Sequence, residues 1–206
     1  MNFLAHLDIA DHCHSSKLGN LLGDFVKGDP QPHYSVAVAN GIRLHRFVDS
    51  YTDHHPLVKE AKHFFTNTTR RFAPIALDMF WDHCLARHWQ AFHQETLNAF
   101  CTRAEQETER EQATESEPAH ASLPERYLTV SGFMWQDRWL ESYQTMSNIE
   151  KALQRMSTRS PRMAPLAHSF ADLERHYDVL ERLFFQLYPD VLTASQNALV
   201  LIPSRA

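Results

Sequence analysis

Glycine is scarce in this chain, 5 residues in 206. Apolar residues recur mostly at helical spacings, and no convincing run alternates as a strand would, so the chain is expected to be helical. Cysteine is nearly as sparse. Cys13, Cys84 and Cys101 are an odd count at irregular spacing, which fits a reducing compartment, the cytoplasm, better than a disulfide framework. No uninterrupted apolar stretch reaches the roughly 20 residues that cross a bilayer. The apolar opening from Met1 to Leu7 has no basic leader and is broken by His6, Asp8 and Asp11, so a signal peptide is not expected either. Positive charge is not in excess: the formal charge is -5 and the pI about 6.3, which excludes a protein whose main task is coating nucleic acid. There is no glycine-rich phosphate loop, no internal repeat and no Gly-x-Ser-x-Gly elbow, so serine nucleophile chemistry has no support.

What remains is amphipathic helix. The length suits one domain with a substantial core. A first helix is expected to about Cys13, and a second from the capping oxygens of Ser15-Ser16 to Phe25, broken at Gly28-Asp29-Pro30. Ser35 caps a longer helix that ends before Pro56, because the residue preceding proline avoids helical angles. Pro56 opens the next helix, and an aromatic-rich one runs from Pro74 to about Phe92. Glutamates crowd the segment near 105–121, read as a solvated helix end and a flexible acidic loop. Pro124 reopens helix with Gly132 as a break, and a long amphipathic helix from Pro165 stops near Pro189.

Two polar rows stand out against this pattern. Four-residue steps put His45, Asp49 and Asp53 on one helix face, and Asp78 and Asp82, followed by His83, on another. Such pairs also occur as ordinary surface contacts worth roughly 0.2–0.5 kcal/mol. However, Asp78, Asp82 and His83 lie on an aromatic-rich helix, where unpaired acids are costly to bury. Two helices offering imidazole and carboxylate suit one shared divalent cation: manganese, magnesium, iron or zinc. Asp24, an acid inside Leu21-Leu22-Gly23-Asp24-Phe25-Val26, caps, pairs with an arginine or binds a cation, and His6 is the matching imidazole in the first helix. Asp11-His12-Cys13-His14 sprays its side chains around a helix and lacks the second half of a zinc site. Lys27, Arg43, Arg46, Arg70, Arg71 and Arg87 lie close in sequence to the acidic clusters. They pair with those acids, grip a phosphate, with Arg46 first, or meet an acidic partner. A metal-dependent phosphoester hydrolase is the resulting expectation.

Asn2-Phe3-Leu4-Ala5-His6-Leu7, Gly19-Asn20-Leu21-Leu22-Gly23-Asp24-Phe25-Val26, Gly41-Ile42-Arg43-Leu44-His45-Arg46 with Asp49 and Thr52-Asp53, Arg70-Arg71 with Ala73-Pro74-Ile75, and Trp81-Asp82-His83 with Ala86-Arg87-His88-Trp89 closely resemble the acyl carrier protein phosphodiesterase family. A looser likeness runs through Trp135, Trp139-Leu140, the Met156 to Arg162 stretch, Asp172-Leu173 and His176-Tyr177. The resemblance implies an all-α single-domain bundle distantly related to the HD phosphohydrolases, although here the adjacent pair reads Asp82-His83 rather than His-Asp. It further implies a manganese-requiring hydrolase that cuts the phosphodiester between 4'-phosphopantetheine and a serine of holo-acyl carrier protein, releasing the apo carrier and 4'-phosphopantetheine. On that reading Asp24, His45, Asp49, Asp82 and His83, with Asp78, hold one or two ions, with Mn2+ preferred over Mg2+ or Fe2+. His6 moves a proton, Arg46 or Arg87 offsets phosphate charge, and Lys27, Arg43 and Arg71 steer the acidic carrier. The rival readings are a metal phosphohydrolase acting on a small molecule such as a nucleotide, and a non-enzymatic helical interaction protein. Oligomeric state has no signature in the sequence.

Overall fold

The computed structural model describes residues 1–115 and 122–201, and among them every regular element is helical, with no strand. Helix α1 (Phe3–His12) buries every residue from Leu4 to Ala10. Ser16 then caps α2 (Lys17–Leu22), its Oγ accepting from Gly19 N at 2.8 Å. Ser35 caps α3 (Val36–His54), which ends before Pro56 opens α4 (Pro56–Ala61). These boundaries agree with the capping and proline signals. Helix α2 lies very close to α3 because Gly19 faces Gly41: a Cβ on Gly19 would sit 2.8 Å from Gly41 Cα.

Helix α5 (Ala73–Arg87) is the centre of the molecule. It is buried on nearly all sides, with Phe80, Trp81 and Leu85 inaccessible or nearly so, as expected of a helix apolar all round. It packs against α1, α9 (Trp139–Ser142), α10 (Met146–Ser157), α11 (Ser169–Arg175) and α12 (Tyr177–Leu201). The helix expected to run to Phe92 stops at Arg87 and resumes as the short α6 (Trp89–Phe92).

Three other expectations are corrected. The glutamate-rich segment is not a loop up to residue 115: it forms α7 (Leu97–Glu115), and its acids anchor two helix starts. Glu111 accepts from Lys17 N at 3.1 Å and Leu18 N at 3.2 Å, and Glu115 from Ser35 N at 3.1 Å. These are N–H groups that no intrahelical carbonyl can satisfy. The remainder of that expectation, 116–121, lies outside the described residues. Helix α8 (Glu125–Gln136) runs straight through Gly132, and α12 straight through Pro189. The cost of an interior proline is offset by Leu187, Tyr188 and Val191, all fully buried around it.

Candidate metal and phosphodiester site

Three consecutive elements bring four ligand-type side chains together. His6 comes from α1, Asp24 from the turn after α2, and His45 and Asp49 from α3. Nitrogen or oxygen atoms of His6, His45 and Asp49 all lie within 4.8 Å of one another. His6 Nε2 is 3.1 Å from Asp49 Oδ1, and His45 Nε2 is 3.1 Å from Asp49 Oδ2 and 3.5 Å from Asp24 Oδ1. The imidazoles stack, centroids 3.8 Å apart and planes 17° from parallel. Both histidines are buried, whereas Asp24 and Asp49 open toward solvent, so the cluster has a closed wall and an open mouth.

His45 is held in one orientation. Its Nδ1 lies 2.7 Å from the Asn20 carbonyl oxygen, which can only accept, so Nδ1 carries the proton. In the neutral ring Nε2 then presents its lone pair toward two carboxylates, the arrangement of a metal-ligating histidine with a backbone carbonyl behind it. His45 Nε2 and His6 Nδ1 are both buried without a hydrogen-bond partner. Without a cation the acids must be answered by protons. Burial disfavours charge on His45, but Asp24 and Asp49 outweigh it and raise its pKa to about 9. Burial, with His45 beside it, pushes His6 down to about 4. Asp49, despite burial, is held well below the usual carboxylate range by His45 and His6. Two carboxylates and two imidazoles are a donor set that suits Mn2+, Fe2+ or Zn2+.

Gly23 permits this geometry. A Cβ there would lie 2.1 Å from His45 Cγ and 2.2 Å from Cδ2, and the ring, bonded to Asn20 and stacked on His6, has nowhere to go. Gly23→Ala is therefore expected to cost about 1–3 kcal/mol of stability and to weaken Mn2+ binding, read by thermal unfolding and titration calorimetry. Gly132→Ala, in a helix interior with nothing within 4 Å, should instead stabilise by about 0.5–1 kcal/mol.

The other residues singled out in the sequence lie elsewhere. Asp82 is buried beneath the start of α1, where Oδ2 accepts from Leu4 N at 2.8 Å and Oδ1 from Asn2 N and Ala5 N at 3.2 Å each. It is a helix cap supplied from α5, with its oxygens already committed. Burial lifts its pKa to about 7 against the pull of these amides. Asp78 sits 2.6 Å from the Met1 amino group, itself 3.8 Å from Asp49; burial raises Asp78 to about 6, opposed by that amine. His83 faces away, its Nδ1 2.7 Å from Tyr143 O and its Nε2 2.9 Å from Tyr177 Oη. Asp82 and His83, expected as ligands from α5, are thus not brought to the cluster: both are hydrogen-bonded elsewhere, and it is α1 and the turn after α2 that place His6 and Asp24 beside His45 and Asp49 of α3.

The arginines are redistributed as well. Arg46, expected at the phosphate, donates to Val26 O at 2.6 Å and Gly28 O at 2.7 Å, so it shapes the turn behind Asp24. Arg43 is tied to Asp29 and Gln31, and Arg71 donates to Arg162 O at 3.1 Å. Arg87 is exposed at the end of α5, near His83 and Glu181. Lys27 is exposed three residues beyond Asp24, and Asp53 pairs with Lys62 at 3.3 Å.

A cavity of about 780 Å³ adjoins the cluster at Asn2 and Asp24. Among the residues along it are Arg126, Lys151, Arg155 and Arg159, none of which sequence reasoning had assigned to a site. A signal existed: the four-residue steps from Lys151 to Arg155 to Arg159 place three cations in one row.

No solved structure matches this chain. The family model described as acyl carrier protein phosphodiesterase matches residues 1–191. Among curated relatives, the acyl carrier protein phosphodiesterase of Pectobacterium atrosepticum is 45% identical over 96% of this chain and 98% of its own length. That of Photorhabdus laumondii is 42% identical over 96% of each chain. That of Escherichia coli O6:K15:H31 is 43% identical over 97% of this chain and the whole of its own. This chain belongs to the acyl carrier protein phosphodiesterase family.

Proposed function

We propose that this protein hydrolyses the phosphodiester linking 4'-phosphopantetheine to a serine of holo-acyl carrier protein, with His6, Asp24, His45 and Asp49 holding a divalent ion, Mn2+ by preference. The observation that carries the reading is the pose of His45: its Nδ1 is spent on the Asn20 carbonyl, and its buried Nε2 faces two carboxylates without a hydrogen bond. Held by these donors, such an ion supplies Lewis acidity to a phosphoryl oxygen and acidifies water toward neutral pH. The chain's own groups set the rest. Asn20 fixes the tautomer and plane of His45, Gly23 leaves room for that ring, and Asp49 bridges the two imidazoles. Asp24, the most exposed member, stands where a diester enters from solvent. In the net reaction water adds to phosphorus, the serine oxygen departs with a proton, and free 4'-phosphopantetheine and the apo carrier result. A cytoplasmic setting belongs to the same reading, supported by Cys13, Cys84 and Cys101, all buried and unpaired.

Incubation of the metal-free protein with holo-carrier should leave the carrier intact, and added Mn2+ should remove the prosthetic group, seen as its mass lost from the intact carrier. Mn2+ alone at about 100 times its Kd should also stabilise the fold by about 2.7 kcal/mol. Cleavage that persists in excess chelator refutes the metal assignment. A carrier left intact under all conditions, with a nucleotide hydrolysed instead, refutes the substrate.

A further inference from the structure

The cavity beside Asp24 has a wall of cations that form no ion pair among the described residues. Arg126 on α8 and Lys151, Arg155 and Arg159 on α10 and the turn beyond it are exposed along it. No acid among the described residues lies within 4.0 Å of any of them. Lys151 reaches only Asn148 Oδ1, at 3.2 Å, and Arg126 lies over the Phe25 ring at 5.7 Å. Several other cations are paired with acids: Lys17 with Asp11 and Glu107, Arg43 with Asp29, Arg103 with Asp11 and Glu95, Arg138 with Glu141. In a chain of net charge -5, the two acids that share the cavity wall, Asp24 and Asp137, face His45 and Trp139 Nε1 rather than these cations. Like charges four apart on a helix repel, so Lys151 and Arg155 on α10 cost the free protein stability unless something anionic meets them. Apolar side chains of Phe25, Trp139 and Met156 share the wall of the cavity with the cations and Asp24.

We propose that the groove between α8 and α10 docks an acidic protein surface, with Arg126, Lys151, Arg155 and Arg159 pairing with its carboxylates so that a modified serine reaches the Asp24 end. This rests on the carrier phosphodiesterase reading and moves the docking surface away from Arg43 and Arg71, whose guanidinium groups are already engaged. The cavity joins the row of cations to the His6, His45 and Asp49 cluster through Asp24, so one partner can touch both. Cations at such a rim act mainly on encounter and on salt dependence, since exposed charges more than about 10 Å apart are screened at 0.1 M salt.

The test is the double variant Lys151→Glu with Arg155→Glu, neither of which touches the cluster. Binding of holo-acyl carrier protein to the metal-free protein is measured by titration at several ionic strengths, and cleavage is measured with Mn2+. The variant should bind the carrier about tenfold more weakly at low salt, with a flatter salt dependence. KM should rise accordingly while kcat stays near the wild-type value, and melting and Mn2+ affinity should be unchanged. Wild-type carrier affinity and salt dependence in the variant overturn the docking surface while cleavage by the wild type leaves the functional reading standing. A wild type that neither binds nor cleaves holo-carrier overturns both. A variant with unchanged carrier binding, beside a Met156→Trp variant that blocks cleavage, assigns the groove to the neutral prosthetic arm and refutes the acidic partner surface.

Discussion

Asp49→Asn should reduce release of the prosthetic group on the order of a thousandfold, because Lewis-acid stabilisation worth several kcal/mol is lost and each 1.36 kcal/mol is a factor of ten. Asp49 lies 3.1 Å from both imidazoles, the one carboxylate among the described residues to do so. Asparagine has nearly the same shape but brings an amide N–H2 to a site whose other members present lone pairs. Mn2+ affinity, by titration calorimetry, should fall by at least about the 10–100-fold seen when groups behind a metal ligand are removed. A second readout needs no metal. In the stripped protein His45, raised to about 9, loses one of its two carboxylates, and its titration followed by NMR should move down toward the ordinary histidine range. Asp24→Asn should act in the same direction on His45. A variant that binds Mn2+ like the wild type, with His45 titrating unchanged, sinks the assignment.

Of the six residues expected as ligands, Asp24, His45 and Asp49 meet in the cluster and Asp78, Asp82 and His83 do not, for a reason particular to α5. The row His45 and Asp49 was legible because four residues make nearly one helical turn, and the row is real. Asp78 and Asp82 form an equally regular row on a helix dense in aromatics, and buried acids there do require partners. Sequence cannot tell which partner. The structure supplies backbone amides of α1 for Asp82 and the Met1 amine for Asp78, groups that carry no side-chain signature. His6 and Asp24 read as single polar residues in apolar surroundings, and only the crossing of α1 and α2 over α3 makes them neighbours of His45.

Helix limits were legible where chemistry is local. Ser16, Ser35 and Pro56 mark starts through their own side chains or ring. Expectations failed where a distant element decides the outcome. Gly132 and Pro189 sit inside continuous helices, and the glutamates of α7 are spent on the starts of α2 and α3, which lie 93 to 80 residues away in sequence. Charge at residues 105–115 looked like solvation because sequence shows the acids and not the orphan amides they satisfy. The same limit hid the groove: an unpaired cation and a paired one look alike until their neighbours are known.

Asp82→Ala should produce the largest loss of stability of any single change considered, about 3–5 kcal/mol, because it leaves the buried N–H groups of Leu4 and Ala5 and the partly buried one of Asn2 without an acceptor, at about 1–3 kcal/mol for each unsatisfied group. Chemical denaturation measures it. Helix α1 also carries His6, so loosening its first turn should weaken Mn2+ binding as a secondary effect. Asp82→Asn separates the two roles. It keeps an acceptor and should retain Mn2+ affinity within a few-fold, whereas a true ligand would lose it as Asp49→Asn does. The pH dependence provides a further discriminator. With Asp82 raised from its ordinary value to about 7, the folded state holds a proton that the unfolded state has released between about pH 4 and pH 7. Its contribution to stability is therefore present below pH 4 and declines as pH rises through that window, by up to about 1.4 kcal/mol per pH unit. The amide introduced by Asp82→Asn cannot titrate, so the stability difference between wild type and this variant should shift against the wild type from pH 4 to pH 7, with the slopes from Asp78 and His6 cancelling. A difference that is flat with pH would mean Asp82 is ionised throughout, its three amide donors outweighing burial.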